Sequence, residues 1–91
     1  MKLTNAVDAL HSLAQETRLS AFRLLVRAGP DGMAAGEICR ELGVPAATMS
    51  FHLAHLARAD LVVAHREGRS IRYLVNYDGM QGLLAYLMDD C

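Results

Sequence analysis

Ala46, Ala47, Thr48, Ser50, Phe51 and His52 crowd into the opening turns of a segment that starts at Pro45. The hydroxyls of Thr48 and Ser50 can exchange hydrogen bonds with base edges or phosphates. The small alanines let a backbone come close, and a methyl group or the Phe51 ring can touch thymine. His52 stands at the margin, suited to packing or a phosphate more than to a metal. Further along, Arg66, Arg69 and Arg72 cluster around Gly68, with Glu67 the only acid among them. Arginine forks match phosphate oxygens. Both groups therefore suit the surface of a DNA duplex. A third kind of chemistry rests on two thiols, Cys39 and Cys91.

Hydrophobic periodicity supplies the elements that must position these residues. Leu3, Val7, Leu10, Leu13 and Ala14 recur at helical spacing, with Thr4 or Asn5 able to cap the start. A second helix is expected from about Thr17 to Ala28, with Leu19, Phe22, Leu25 and Val26 as its stripe and Gly29-Pro30-Asp31-Gly32 as its end. A third, Ala35 to Leu42, places Ala35, Ile38, Cys39 and Leu42 on one face. Gly43 closes it, and Pro45 opens a fourth helix to about Ala59, buried through Met49, Leu53 and Leu56.

Leu61–Arg66 and Ser70–Val75 are rich in β-branched and aromatic residues, with Glu67-Gly68-Arg69 between them. They read as a hairpin. Asp78 can then cap a last helix to about Asp89, with Met80, Leu83, Leu84, Leu87 and Met88 on one face. The fold class is mainly α with a β-hairpin, in the order helix, helix, helix, helix, hairpin, helix. Residues 35–59 have the spacing of a helix-turn-helix, whose second helix enters the major groove. An arginine-rich hairpin directly after it reads as a wing reaching phosphates or the minor groove. The plain alternatives are an ordinary helical hairpin in a bundle and idle, solvated arginines.

Composition narrows the classes. With 91 residues the chain is expected to form one domain, residues 1–91. A hydrophobic fraction of 53% exceeds what so small a domain needs, and a second copy is the simplest cover for the surplus. The net charge of −1 gives no hint of nucleic acid, so charge placement must carry that reading. No apolar run exceeds Leu83–Met88, so no membrane span is expected, and there is no signal-peptide pattern. Two cysteines do not make a disulfide framework, which points to the cytoplasm with both thiols reduced. No Ser-His-Asp, metal-histidine or paired-carboxylate set shares one face, so the chain is not expected to be an enzyme. A winged helix that binds protein instead of DNA remains the rival that the charge leaves open.

Four segments carry a resemblance to a known family: Leu13-Ala14-Gln15-Glu16-Thr17-Arg18-Leu19, Gly36-Glu37-Ile38-Cys39-Arg40-Glu41-Leu42-Gly43, Met49-Ser50-Phe51-His52-Leu53-Ala54-His55-Leu56, and Arg66-Glu67-Gly68-Arg69 followed by Tyr73. Over nearly its whole length the chain resembles the ArsR/SmtB winged-helix repressors. The resemblance implies a homodimer held by the first and last helices. Leu3, Val7, Leu10, Met80, Leu83, Leu84 and Leu87 would then form the contact. It also implies an inducer, often a metal ion, that releases operator DNA.

One family site needs a Cys-x-Cys pair before the recognition helix, and here Glu41 stands where the second thiol would be. Cys39 is expected to pack in the core. A second family site uses histidines on the last helix, which has none. The segment Ala85–Cys91 is similar to the last helix of the arsenite-sensing subgroup, with Cys91 matching the first of its thiols. Arsenite, a soft ligand for thiolates, is therefore the expected inducer. Another inducer, or none, is the alternative, because Cys91 has no second thiol beside it.

Overall fold

A computed structural model describes residues 1–89. They form five helices, α1 (Leu3–Leu13), α2 (Glu16–Ala28), α3 (Ala35–Leu42), α4 (Ala46–Arg58) and α5 (Tyr77–Met88), and three strands, β1 (Met33–Ala34), β2 (Val62–Glu67) and β3 (Ser70–Val75). The architecture is a winged helix-turn-helix. The order of helices and hairpin follows the periodicity, and β1 is the addition. Met33 pairs with Tyr73 and Ala34 with Arg72, giving a three-stranded antiparallel sheet in the order β1-β3-β2. Two residues carry no alternation, so only their distant partner strand makes them a strand.

Local chemistry accounts for the helix ends. The Asn5 side chain accepts from the Lys2 N–H at 3.2 Å and holds the first turn of α1. Gln15 caps α2 by accepting from the Arg18 N–H at 2.8 Å, so the helix begins one residue before the expected start. Pro45 is the N-cap of α4 and not its first residue. Asn76 caps α5, accepting from the Gly79 N–H at 3.2 Å. Asp78, the expected cap, lies inside that first turn, where its charge complements the helix dipole. In the hairpin Glu67 pairs with Ser70, leaving Gly68-Arg69 as a two-residue turn. Only Gly68 of the two has a positive φ (62°), the II′ pattern that matches strand twist.

The core gathers Phe22, Leu25, Ile38, Met49, Leu53, Leu56, Leu61 and Leu83. Burying a side chain such as Leu53 contributes about 1.5–3 kcal/mol. The inward face of α4 is therefore the expected one. Two other helices turn large apolar residues outward as well. In α1 the buried residues are Ala6, Ala9 and Ser12, while Leu3, Val7 and Leu10 face outward. In α2 they are Arg18, Ala21, Phe22 and Leu25, while Leu19 and Val26 are exposed. Small residues on the α1 inner face let it lie close against α2, α4 and α5.

Candidate nucleic-acid interface

The helix-turn-helix is closed by Gly43, which adopts the left-handed conformation (φ 64°), and by the Val44 N–H bonding to the Cys39 carbonyl at 3.1 Å. Met49, Leu53 and Leu56 pin α4 to the core. Helical periodicity then turns Ala47, Phe51 and Arg58 outward on the opposite side. Ala46, Ala47, Thr48, Ser50 and Phe51 are all exposed, and Phe51 is 60% accessible, unusual for a large aromatic ring. No side chain caps α4, so the N–H groups of its first turn face an external acceptor such as a phosphate. Arg58 was not singled out from the sequence. Its place three turns along the same stripe as Ala47 was the available signal.

The wing divides its arginines. Val62, Ala64 and Arg66 share one face of β2, and the register sets Arg66 opposite Ile71. Arg66 and Arg69 are exposed, with Arg69 in the turn. Arg72 has a structural role as well. Its Nε pairs with the Glu67 carboxylate at 3.1 Å, and its Nη1 donates to the carbonyls of Asp31 at 3.1 Å and Gly32 at 3.4 Å. It ties the hairpin to the turn before β1, a structural task that engages its Nε and Nη1 donors.

His52 and His55 also turn inward. Arg18 is only 7% accessible. Its Nε donates to the Ser12 carbonyl at 2.7 Å, and its Nη1 meets His52 Nδ1 at 3.1 Å. Ser12 is fully buried, and its hydroxyl meets His55 Nδ1 at 2.9 Å. His55 is thus bound to α1. Among the described residues, every buried side-chain polar atom has a partner. Burial, and then the Arg18 charge, hold the His52 imidazole below its ordinary value of 6.5. Burial followed by Arg18, Arg58 and His11 does the same for His55, against a smaller opposing backbone hydrogen bond. Both rings favour the neutral form in the fold. The stability this contributes is complete above pH 6.5 and is lost as pH falls through the lowered folded-state values.

The remaining candidates separate. Cys39 is a free, half-buried thiol packed at the edge of the core. His11 lines one cleft with Asp8, His55 and Arg58. Among the described residues no three histidine, cysteine or acidic side chains are placed to hold a metal ion. Cys91 lies outside the described residues. Of the expected dimer residues, Leu3, Val7, Leu10, Leu84 and Leu87 are exposed and Met80 is half-buried. Leu83 is only 2% accessible and packs in the protomer's own core, so it cannot also face a partner.

A family model for a helix-turn-helix domain matches residues 13–65, more than half of the chain. The chain belongs to the helix-turn-helix domain family. Solved structures extend the likeness beyond the matched segment. HlyU from Vibrio cholerae is 28% identical, with 97% of this chain and 98% of that one covered and a TM-score of 0.74. The homodimeric winged helix-turn-helix DNA-binding domain of a possible ArsR-family regulator from Mycobacterium bovis is 26% identical, covering 93% and 77%, with a TM-score of 0.78. A possible transcriptional regulator for arsenical resistance is 26% identical, covering 88% and 80%, also with a TM-score of 0.78. No curated protein matches the chain. Membership in this helix-turn-helix family, whose matched structures include transcriptional regulators, sets the chain apart from enzymes. Among the described residues no helix is long and apolar enough to cross a membrane.

Proposed function

We infer that this chain is a homodimeric transcriptional repressor of the ArsR type, acting in the cytoplasm and released from its operator by a thiophilic inducer, arsenite. The observation that carries the DNA-binding reading is the outer face of α4. Thr48, Ser50 and Phe51 are exposed there beside an uncapped helix N-terminus, while the same helix is fixed to the core from behind. In this reading Thr48, Ser50 and Phe51 touch bases, and Arg66 and Arg69 hold phosphates. Two copies would read successive half-sites. The single domain 1–91 would pair through α1 and α5, whose outward residues are apolar. The Mycobacterium bovis neighbour, a homodimeric DNA-binding domain, supports this assembly.

The DNA reading is tested by gel shift against duplex DNA from upstream of the protein's own gene. Arg69→Ala is expected to weaken binding to all sequences alike and to flatten the salt dependence by roughly one unit of slope per protomer. Ser50→Ala should relax sequence preference at one position, at a cost of about 1–3 kcal/mol. Unchanged binding in both variants overturns the DNA role and favours a protein partner.

The inducer reading rests on Cys91 and on the arsenical-resistance regulator among the similar structures. Arsenite is expected to lower operator affinity by about 1–3 kcal/mol of coupling in the wild type, and Cys91→Ser should abolish the response. Release that survives Cys91→Ser removes arsenite from this site. A redox signal is the second reading, favoured by the half-buried thiol of Cys39 and by the likeness to HlyU, which also has a solved structure in its reduced form. Release by a thiol oxidant, with none by arsenite, would select it.

A further inference from the structure

Two of the stretches that carry the family resemblance, Leu13–Leu19 and Met49–Leu56, meet in the fold at Arg18 and His52. Arg18 is buried, and its Nε is committed to the Ser12 carbonyl at 2.7 Å, so the guanidinium is held in place. Its Nη1 lies 3.1 Å from His52 Nδ1. A guanidinium has donors and no acceptor. His52 must therefore present an unprotonated Nδ1. A protonated ring would set donor against donor and charge against charge. Phe51 packs edge-on against both His52 and His55, with ring centroids 5.5 and 6.4 Å apart. A rotation of His52 is thus passed to the outer face of α4.

We propose that Arg18 is a positioning residue that holds the recognition helix through neutral His52, so that mild acidification loosens α4 and releases DNA. The release of DNA rests on the DNA-binding reading above; the loosening of α4 does not. The charged and titratable groups around this contact come from three helices. Arg18 comes from α2, Asp8 and His11 come from α1 beside His55, and His55 and Arg58 come from α4 itself. The Asp8 carboxylate shares its cleft with His11, His55 and Arg58, and makes no bond to His52. The Ser12 hydroxyl can donate to His55 or accept from it, so that contact survives protonation. The Arg18–His52 contact does not, which makes His52 the switch. The direction is diagnostic. Histidines that merely lie near DNA gain positive charge in acid and strengthen phosphate attraction. Here acid weakens binding.

The test compares wild type with His52→Asn, whose Oδ1 can accept from Arg18 and does not titrate. The readout is each protein's own ratio of DNA affinities between about pH 7.5 and about pH 5.5 at constant salt, measured on the upstream duplex. Wild type is expected to lose about tenfold or more in affinity over this range. His52→Asn should show a flat or rising profile. Hydrogen exchange of the α4 amides in the DNA-free full chain, corrected for intrinsic rates, is the second readout. Protection should fall on acidification in wild type and hold in His52→Asn. The same pH profile for both proteins in exchange overturns the proposal, whatever the DNA result. Absence of DNA binding at both pH values, with the exchange difference intact, overturns the DNA reading and leaves the Arg18–His52 switch standing.

Discussion

Leu84→Glu combined with Leu87→Glu is expected to convert the protein to a folded monomer and to lower operator affinity by about 10²–10⁴-fold. Both side chains are about half accessible, at 51% and 49%, and lie on the outer face of α5. Leu3 and Val7 are exposed to a similar or greater degree on α1, at 65% and 54%, and α1 packs beside α5. Together they present apolar surface on adjacent helices, the usual mark of an association site. Two glutamates would require burying unpaired charge in the contact, which is costly. The protomer should be nearly unaffected, because exposed substitutions usually change stability by within about 0.5 kcal/mol. The loss of affinity would come from separating two half-site readers that, in the proposed dimer, bind as one. Sedimentation, circular dichroism and the gel shift measure the three parts. A variant that remains dimeric and binds as wild type places the contact elsewhere. Leu83→Glu would not be a fair test, since that residue lies in the core.

Gly79→Ala is expected to destabilise the protomer by about 1–3 kcal/mol, the ordinary cost of overpacking. That corresponds to a fall in Tm of roughly 4–8 °C for each kcal/mol in a domain of this size. Gly79 sits in the first turn of α5, where a Cβ would run into the backbone carbonyl of Asp60 and come within 3.1 Å of Asn76 Nδ2. The corner has little room to yield. Asp60 itself has a positive φ of 62°, Asn76 Nδ2 donates to its carbonyl at 3.0 Å, and the Asn76 N–H bonds to the Leu61 carbonyl at 2.9 Å. Gly82→Ala is the control on the same helix. Its Cβ would meet only Met1 Cε at 3.5 Å, so helix propensity should leave stability equal or higher. Urea unfolding of both variants checks the contrast. Equal effects would show that close approach of α5 to the Asp60 corner does not limit stability. Since α5 also carries the proposed dimer contact, Gly79→Ala should weaken association as well.

The candidate interface was legible where a residue's role follows from its own position in a periodic element. Thr48, Ser50 and Phe51 are exposed because Met49, Leu53 and Leu56 are buried, and a helix allows only one such division. Arg69 is exposed because Gly68 makes the turn. The bracing role of Arg72 was hidden for the opposite reason. In sequence it looks like its two neighbours, but its Nη1 is held by carbonyls at Asp31 and Gly32, some forty residues earlier. The apolar stripe of α2 is likewise only half inward, since Leu19 and Val26 are exposed. On α1 the large residues Leu3, Val7 and Leu10 face outward, as a dimer contact requires, and Ala6 and Ala9 face inward. A chain that buries surface against a second copy carries apolar residues on both sides of a helix, and periodicity cannot rank the two.

The sequence by itself therefore determined the helix order, the helix-turn-helix spacing, the outer face of the recognition helix and the tip of the wing. Each follows from local period, glycine and proline placement, or the residue before a helix. Only the tertiary structure decided that β1 completes the sheet, that Leu83 belongs to the core and that Arg72 is a brace. It alone placed Arg18 against His52 and Ser12 against His55. Those contacts join residues 34 and 43 positions apart, and their energy depends on partners that no local pattern encodes. The residues that would touch DNA are legible from their own helix. The residues that hold that helix in place come from elsewhere in the chain.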